Sequence, residues 1–259
     1  LSDFDYHLPD ELIAQTPTAE RGASRLLVID NGTIRDSQFA DLCSLFSPGD
    51  LLVRNNSRVR HARLLGTRAG GGEAEVLLLH PATEDKWLAM VRPGRALRPG
   101  KQVHLGDGIG IEIVSVDDEG FRLVRFVGAT AEYAIERFGQ LPLPPYITRD
   151  ATGEDELRYQ TVYSDLPGSV AAPTAGLHFT VELLDQLEAM GVEIVDLDLE
   201  VGPGTFRPVE IDDPLAHPMH RERFNIPAET AAAIVLARQR GSRVWAVGTT
   251  VVRALESAA

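Results

Sequence analysis

One cysteine, Cys43, stands in 259 residues, so the chain can form neither an internal disulfide framework nor a thiolate metal cluster of its own. Within DLCSLF that residue reads as a small buried hydrophobe. No run of about 18 uninterrupted apolar residues occurs, and the first residues, LSDFDYHLPDE, have neither a basic flank nor an apolar signal core. A cytoplasmic protein without membrane association is therefore expected. No serine sits in a nucleophile elbow, which leaves covalent serine hydrolysis unsupported. No internal repeat or low-complexity tract is present.

Acidic residues are absent from two tracts, although the formal net charge is −13. Residues 51–72 hold Arg54, Arg58, Arg60, Arg63 and Arg68, and residues 86–106 hold Lys86, Arg92, Arg95, Arg98 and Lys101, all without one Asp or Glu. Indiscriminate nucleic-acid binding does not suit so acidic a chain, but acid-free basic tracts within it suit a surface that meets phosphates. Arg54, Arg58, Arg60, Arg63, Arg92 and Arg95 are the candidate RNA contacts. The competing reading makes them solvated outward faces of strands. Trp87 is the only aromatic there for base stacking.

The hydrophobic share of 44% and charged share of 24% are ordinary for a globular chain, and the length suits one large or two smaller domains. Patterning favours two. Between about residues 58 and 127 lie six short strands, RVRHARLLG, EAEVLLL, KWLAMVR, QVHL, IGIEIVSV and FRLVRFV, separated by Gly and Pro-Gly turns. They predict a small antiparallel barrel or sandwich, inserted over 58–145. A helix, ATAEYAIERFG, and the rigid return LPLPPYI at 141–147 follow. Residues 1–57 and 146–259 read as an α/β domain. In it, VEIVDLDLEV and RVWAV alternate with helices as strands of an α/β sheet, a helix begins near Pro227, and the LLVIDNGTIRD hairpin and GDLLVRN strand join the same domain. The fold class expected is a mixed-sheet α/β domain with an inserted small antiparallel β-barrel, ligand loops lying at the carboxyl ends of the α/β strands.

Three segments carry candidate chemistry. AAPTAGLHFT at 171–180 holds Thr174, Gly176 and His178 in a small-residue loop before the helix VELLDQLEAM, with Thr180 as N-cap and Val181, Leu183, Leu184, Leu187 and Met190 as its apolar stripe. A histidine at such a place stays neutral and lies near free amides that attract anions, or it merely bonds its own turn. Gly202, Gly204 and Thr205 of GPGTF follow one strand, and Thr249 and Thr250 of GTT follow another just before a helix. Both loops suit close backbone approach to a nucleotide or carboxylate, yet neither is a dinucleotide fingerprint or a P-loop, and turn-making alone would explain the glycines. In AHPMHRERF, His217, His220 and Glu222 are rejected as metal ligands because Pro218 spoils helical facing, and proton transfer suits the histidines better. Arg253 is a candidate for a substrate carboxylate, with a plain surface arginine as the alternative.

The stretches FDYHLPDELIAQTPTAERGASRLL, GDLLVRNNSRVRHARL, LPLPPYI, YQTVYS, PGSVAAPTAGLHFT, VGPGTFRPV, HPMHRERF and AVGTTVVRALES, in order along the chain, closely resemble the S-adenosylmethionine:tRNA ribosyltransferase-isomerases of queuosine biosynthesis. The resemblance implies an α/β domain carrying an inserted β-barrel. It also implies transfer and isomerisation of the ribosyl part of S-adenosylmethionine onto 7-aminomethyl-7-deazaguanine at the tRNA wobble base, giving epoxyqueuosine with release of adenine and methionine. No metal is implied. The chemistry needs a general base at the carbon beside the sulfonium and an acid for departing adenine, roles offered to His178, His220 and His217. Arg253 and GTT would take the methionine carboxylate, and GPGTF the nucleoside. Relatives continue past the position of Ala259 through a TNFHLP motif, so a C-terminally truncated chain is expected. Arg60-His61 stand where relatives have Ile-Pro, and Ser57 keeps the hydroxyl of their Thr. The rival readings are an S-adenosylmethionine-dependent RNA methyltransferase, which lacks its glycine fingerprint here, and a noncatalytic RNA-binding module.

Overall fold

The computed structural model describes residues 2–202, 204, 211–217 and 219–259. An antiparallel hairpin comes first, β1 (Arg25–Asp30) and β2 (Thr33–Gln38), with Ile29 opposite Ile34. Its Asn31-Gly32 turn has both φ angles positive, at 46° and 82°, as a two-residue hairpin loop requires. This hairpin forms a separate two-stranded sheet. Only alternate residues of β1 are partly covered, and Leu27, Ile29 and Ile34 are 57%, 67% and 65% exposed. A central parallel strand would instead be buried on both faces.

β3 (Leu51–Asn55) is such a strand, with Leu51, Leu52 and Val53 all buried. After it the predicted first barrel strand divides in two: β4 (Ser57–Val59) stays outside the barrel, and β5 (Arg63–Arg68) enters it. β6 (Glu73–Thr83), β7 (Lys86–Arg92), β8 (Gln102–Gly106), β9 (Ile109–Val116) and β10 (Arg122–Val127) complete six antiparallel strands in the order β5-β6-β7-β10-β9-β8, closed by pairing of β8 with β5. Closure removes the exposed edges that an open sheet would leave. Period-two alternation points Leu64, Val76, Leu78, Ala89, Val103, Ile111, Ile113 and Val124 into one core. α1 (Ala131–Phe138), capped by the Thr130 hydroxyl, leads into β11 (Gly139–Gln140), which pairs with β5.

The remaining elements are α2 (Gly153–Arg158), β12 (Leu166–Ser169), α3 (Val181–Ala189), β13 (Glu193–Leu199), β14 (Phe224–Asn225), α4 (Ala228–Gln239), β15 (Val244–Ala246) and α5 (Gly248–Ala258). The second sheet runs β14-β13-β3-β15, with β13 and β15 parallel to β3 and β14 antiparallel. α3 packs with Leu52 and Ile194 on one face. α4 and α5 cover Leu51, Val53, Leu197 and Leu199 on the other. Thr180 caps α3 through the Leu183 amide as expected, but Val181 is 52% exposed and leaves the predicted stripe. It sits at the first helical position, where the stripe Leu183-Leu184-Leu187 has already turned inward. Cys43 is only partly buried, beside Gln186, and burial raises its thiol pKa. No helix among the described residues is long and apolar enough to cross a membrane.

Asp50 ties the starts of β3 and β15 together. Its buried carboxylate accepts from the Ser47 amide at 2.9 Å, from Arg243 Nη2 at 2.6 Å and from Trp245 Nε1 at 3.0 Å. Burial opposes its ionisation, but the donors from Arg243, Ser47 and Trp245 outweigh burial and hold its pKa below the ordinary value. Asp50→Ala leaves the amide and indole donors unmet while the half-exposed Arg243 rehydrates, so urea unfolding shows a loss of about 3 kcal/mol. The lowered pKa makes this stabilisation present above the ordinary carboxylate range and lost as pH falls through the folded value.

Candidate active site

The carboxyl ends of β3, β13 and β15 lie side by side, and a buried polar lattice fixes the chain where it leaves them. Asn55 Oδ1 accepts from the Leu199 and Ser57 amides at 3.1 Å each, and its Nδ2 donates to Leu199 O at 3.0 Å. The Ser169 hydroxyl donates to Ser57 Oγ at 2.9 Å and accepts from the Val201 amide at 2.9 Å. Fully partnered buried groups of this kind hold one geometry, because any shift leaves a donor or acceptor stranded. Two of the predicted loops, after β12 and after β13, are thereby fastened to each other.

The loop after β12 makes a 3₁₀ turn, Thr174–His178, and the α5 N-terminus closes on it. Gly248 has φ +82°, and a Cβ there would come 3.0 Å from Ala175 Cβ. Glycine is thus needed for both backbone and space. Two cavities open here. One, of about 330 Å³, is bordered by Arg21, Tyr146, Arg158, Thr174 and His178. The other, of about 470 Å³, is bordered by Tyr146, Thr174, Val201 and Gly248, Thr249 and Thr250. Pro144, Tyr146, Tyr159 and Thr174 line both. Thr250 Oγ1 is buried and has no hydrogen-bond partner among the described residues.

His178 rests its ring 5.2 Å from Phe39, and burial, followed by repulsion from the Arg21 guanidinium, lowers its pKa from the ordinary histidine value. The neutral imidazole therefore predominates at pH 7. Arg21 donates to the carbonyls of Leu177 and Gln160 at 3.0 Å each and of Leu157 at 3.0 Å, which joins the N-terminal segment to α2 and to the histidine turn.

A second cluster surrounds the loop after β13. Glu222 accepts from the Gly202 amide at 2.8 Å and from Arg253 Nη1 at 2.5 Å, and Arg253 also donates to His220 O. A Cβ on Gly204 would lie 2.5 Å from the His220 ring. His220 itself turns to the barrel, with Nδ1 3.6 Å from Glu119 and its ring 6.4 Å from that of Phe121. His217 Nδ1 is buried with no hydrogen-bond partner among the described residues. Thr205 lies outside the described residues. The structure thus sets the 174–178 turn against the α5 N-terminus, with Thr174 in one cavity with Thr249 and Thr250, and His178 in the adjoining one. It groups Gly202, Gly204, His220 and Arg253 beside them, with Arg253 one turn along the same helix. Arg253 is not the open carboxylate receptor that was expected, because Glu222 already neutralises it.

The candidate RNA contacts divide likewise. Arg54 is corrected: its side chain is 14% exposed, bonds Asp196 through Nε at 2.6 Å and Nη2 at 2.9 Å, and covers the Tyr163 ring at 4.2 Å. Arg63 is paired with Glu75 at 3.2 Å, and Arg60 is packed 5.3 Å from the Trp87 ring, where burial lowers its pKa. An acid-free tract does not imply acid-free surroundings, since β6 and β13 supply the partners. Arg58, Arg92 and Arg95 are exposed.

A family model described as "Queuosine biosynthesis protein" matches residues 1–259. The chain belongs to this family. Three relatives, each an S-adenosylmethionine:tRNA ribosyltransferase-isomerase, come from Azoarcus sp. (strain BH72), Symbiobacterium thermophilum and Aromatoleum aromaticum. They are 50%, 51% and 52% identical to it over 259, 264 and 260 residues. All of this chain is covered in each case, and 75%, 77% and 75% of the relative. A solved structure of S-adenosylmethionine tRNA ribosyltransferase from Thermotoga maritima aligns with TM-score 0.46 and 30% identity, covering 98% of this chain and 72% of that one. For the queuosine-family chain, the residues that sequence reasoning missed are Arg21 and Tyr146. Both stand within stretches that carry the resemblance, FDYHLPDELIAQTPTAERGASRLL and LPLPPYI, but neither is given a role there, and nothing in their spacing announces the cavities they border.

Proposed function

We propose that this chain is a cytoplasmic S-adenosylmethionine:tRNA ribosyltransferase-isomerase. It attaches and rearranges the ribosyl part of S-adenosylmethionine on 7-aminomethyl-7-deazaguanine at the tRNA wobble position. Its relatives' activity over the whole chain length supports the reaction class. The observation that carries its assignment to this cleft is the half-buried His178, whose pKa burial lowers, in a cavity that shares a wall with a second cavity ending at the α5 N-terminus. His178 takes the proton from the carbon beside the sulfonium, where positive sulfur stabilises the carbanion. Of the three histidines, His178 borders the two-cavity cleft; His220 packs on the barrel and His217 stays the reserve acid for adenine. The free amides at Gly248, Thr249 and Thr250, with the helix dipole behind them, take the methionine carboxylate in place of Arg253. Thr174 faces both cavities, and Gly202 and Gly204 flank the nucleoside.

Residues 58–145 act as an inserted RNA-gripping domain on an α/β catalytic domain formed by 1–57 and 146–259. Exposed Arg58, Arg92 and Arg95 meet the anticodon phosphates. Arg92→Ala with Arg95→Ala flattens the salt dependence of tRNA binding by a slope of about 1.4–1.8, whereas Arg63→Ala, already neutralised by Glu75, leaves it nearly unchanged. Equal slopes in all variants would remove the barrel from this role. The activity is tested by adenine release from S-adenosylmethionine, expected only when the modified tRNA is present. Labelled methyl appearing on RNA would make the protein a methyltransferase, and tRNA binding without adenine release would make it a binding module.

A further inference from the structure

Tyr146 occupies the tip of a turn that leaves it little freedom. Pro144 O accepts from the Ile147 amide at 2.9 Å, placing Pro145 and Tyr146 at the two central positions, where the proline ring fixes φ. Gln15 clamps the same turn from outside: its Nε2 donates to Tyr146 O at 2.9 Å and its Oε1 accepts from the Thr148 amide at 2.8 Å. Its own carbonyl accepts from Arg149 Nε at 2.8 Å. Tyr146 is 50% exposed and belongs to the wall common to the two cavities. The other members of that wall are Pro144, Thr174 and the buried Tyr159, none of which presents an open aromatic face.

We infer that Tyr146 is the stacking platform for the adenine ring of S-adenosylmethionine, a specificity contact that rests on the ribosyl-transfer reading given above. With its carboxylate at the α5 N-terminus and its reacting carbon beside His178, the ligand spans the wall between the cavities with its methionine chain, and a ribose folded back over that chain brings the adenine to Tyr146, the exposed aromatic residue of the shared wall. A purine needs a flat apolar surface more than it needs directed bonds, and a ring already fixed on a proline turn loses little entropy on accepting one. The ring would also retain adenine after the glycosidic bond breaks, until a proton reaches it.

Steady-state adenine release is measured for Tyr146→Ala, Tyr146→Leu and Tyr146→Phe, varying S-adenosylmethionine at saturating modified tRNA and then the reverse. Alanine and leucine raise the KM for S-adenosylmethionine about 5- to 150-fold, leave the KM for tRNA unchanged, and phenylalanine restores the wild-type value within about twofold. Competitive inhibition by free adenine weakens in the alanine and leucine variants while inhibition by methionine does not, a split that a merely structural role would not produce. A rise in the KM for tRNA alone would place the RNA base on Tyr146 instead and overturn the proposal, as would unchanged constants. Equilibrium dialysis with labelled S-adenosylmethionine and tRNA reads the same contact without turnover. Wild-type protein that binds the sulfonium through Tyr146 but releases no adenine would sink the reaction and spare the stacking contact.

Discussion

His178→Ala lowers turnover by about 100- to 10,000-fold, the usual contribution of a positioned general base, while the melting temperature changes little. The ring packs against Phe39 and makes no side-chain hydrogen bond that holds two elements together among the described residues, so its loss removes chemistry more than structure. His178→Gln, which keeps polarity but cannot accept the proton at neutral pH, falls equally far. The pH profile gives an independent check. Burial, then the Arg21 charge, lowers the imidazole pKa, so the acid limb of kcat/KM lies below about pH 6.5. Activity is full at neutrality and fails as pH drops. The same shift means that the folded state resists protonation at this position. Its contribution to stability is fully present above the unfolded value near 6.5 and is lost as pH falls through the lower folded value. A variant lacking His178 that turned over normally would move the base elsewhere.

Gly176→Ala damages the site without touching any reacting group. An added Cβ would collide with the Tyr163 hydroxyl and lie 2.8 Å from Thr161 Cγ2. Tyr163 cannot retreat, because Arg54 covers its ring at 4.2 Å and Phe179 abuts it edge-on at 6.4 Å. Overpacking of this kind costs about 1–3 kcal/mol, and the relief available is a shift of the 174–178 turn itself. A displacement of about 1 Å at His178 lowers kcat about 100-fold. Tyr163→Phe alone is nearly silent, since its hydroxyl has no partner among the described residues. Added to Gly176→Ala, it restores part of both the stability and the rate. A double variant no better than Gly176→Ala would show that the collision is not what disables the loop.

The features legible from residues alone were those set by neighbours along the chain. The six barrel strands, the Thr180 cap and the Pro227 start of α4 all follow from local rules of alternation, capping and φ restriction. Motif likeness added the family and the reaction. Local rules failed where burial depended on distant segments. Arg54 and Arg63 looked free because their own segments hold no acids, while Asp196 and Glu75 arrive from other strands.

Chain order and periodicity therefore decided which elements form and which loops leave the strand ends. Folding in three dimensions decided which charges remain open and which rings face the cavities. Arg253 lost its apparent freedom to Glu222, and Tyr146, written as part of a proline connector, became the exposed ring between two cavities. The physical reason is that hydrogen-bonding and hydrophobic preferences of a segment are intrinsic to it. Charge pairing and desolvation instead depend on which groups are brought within a few ångströms across the fold.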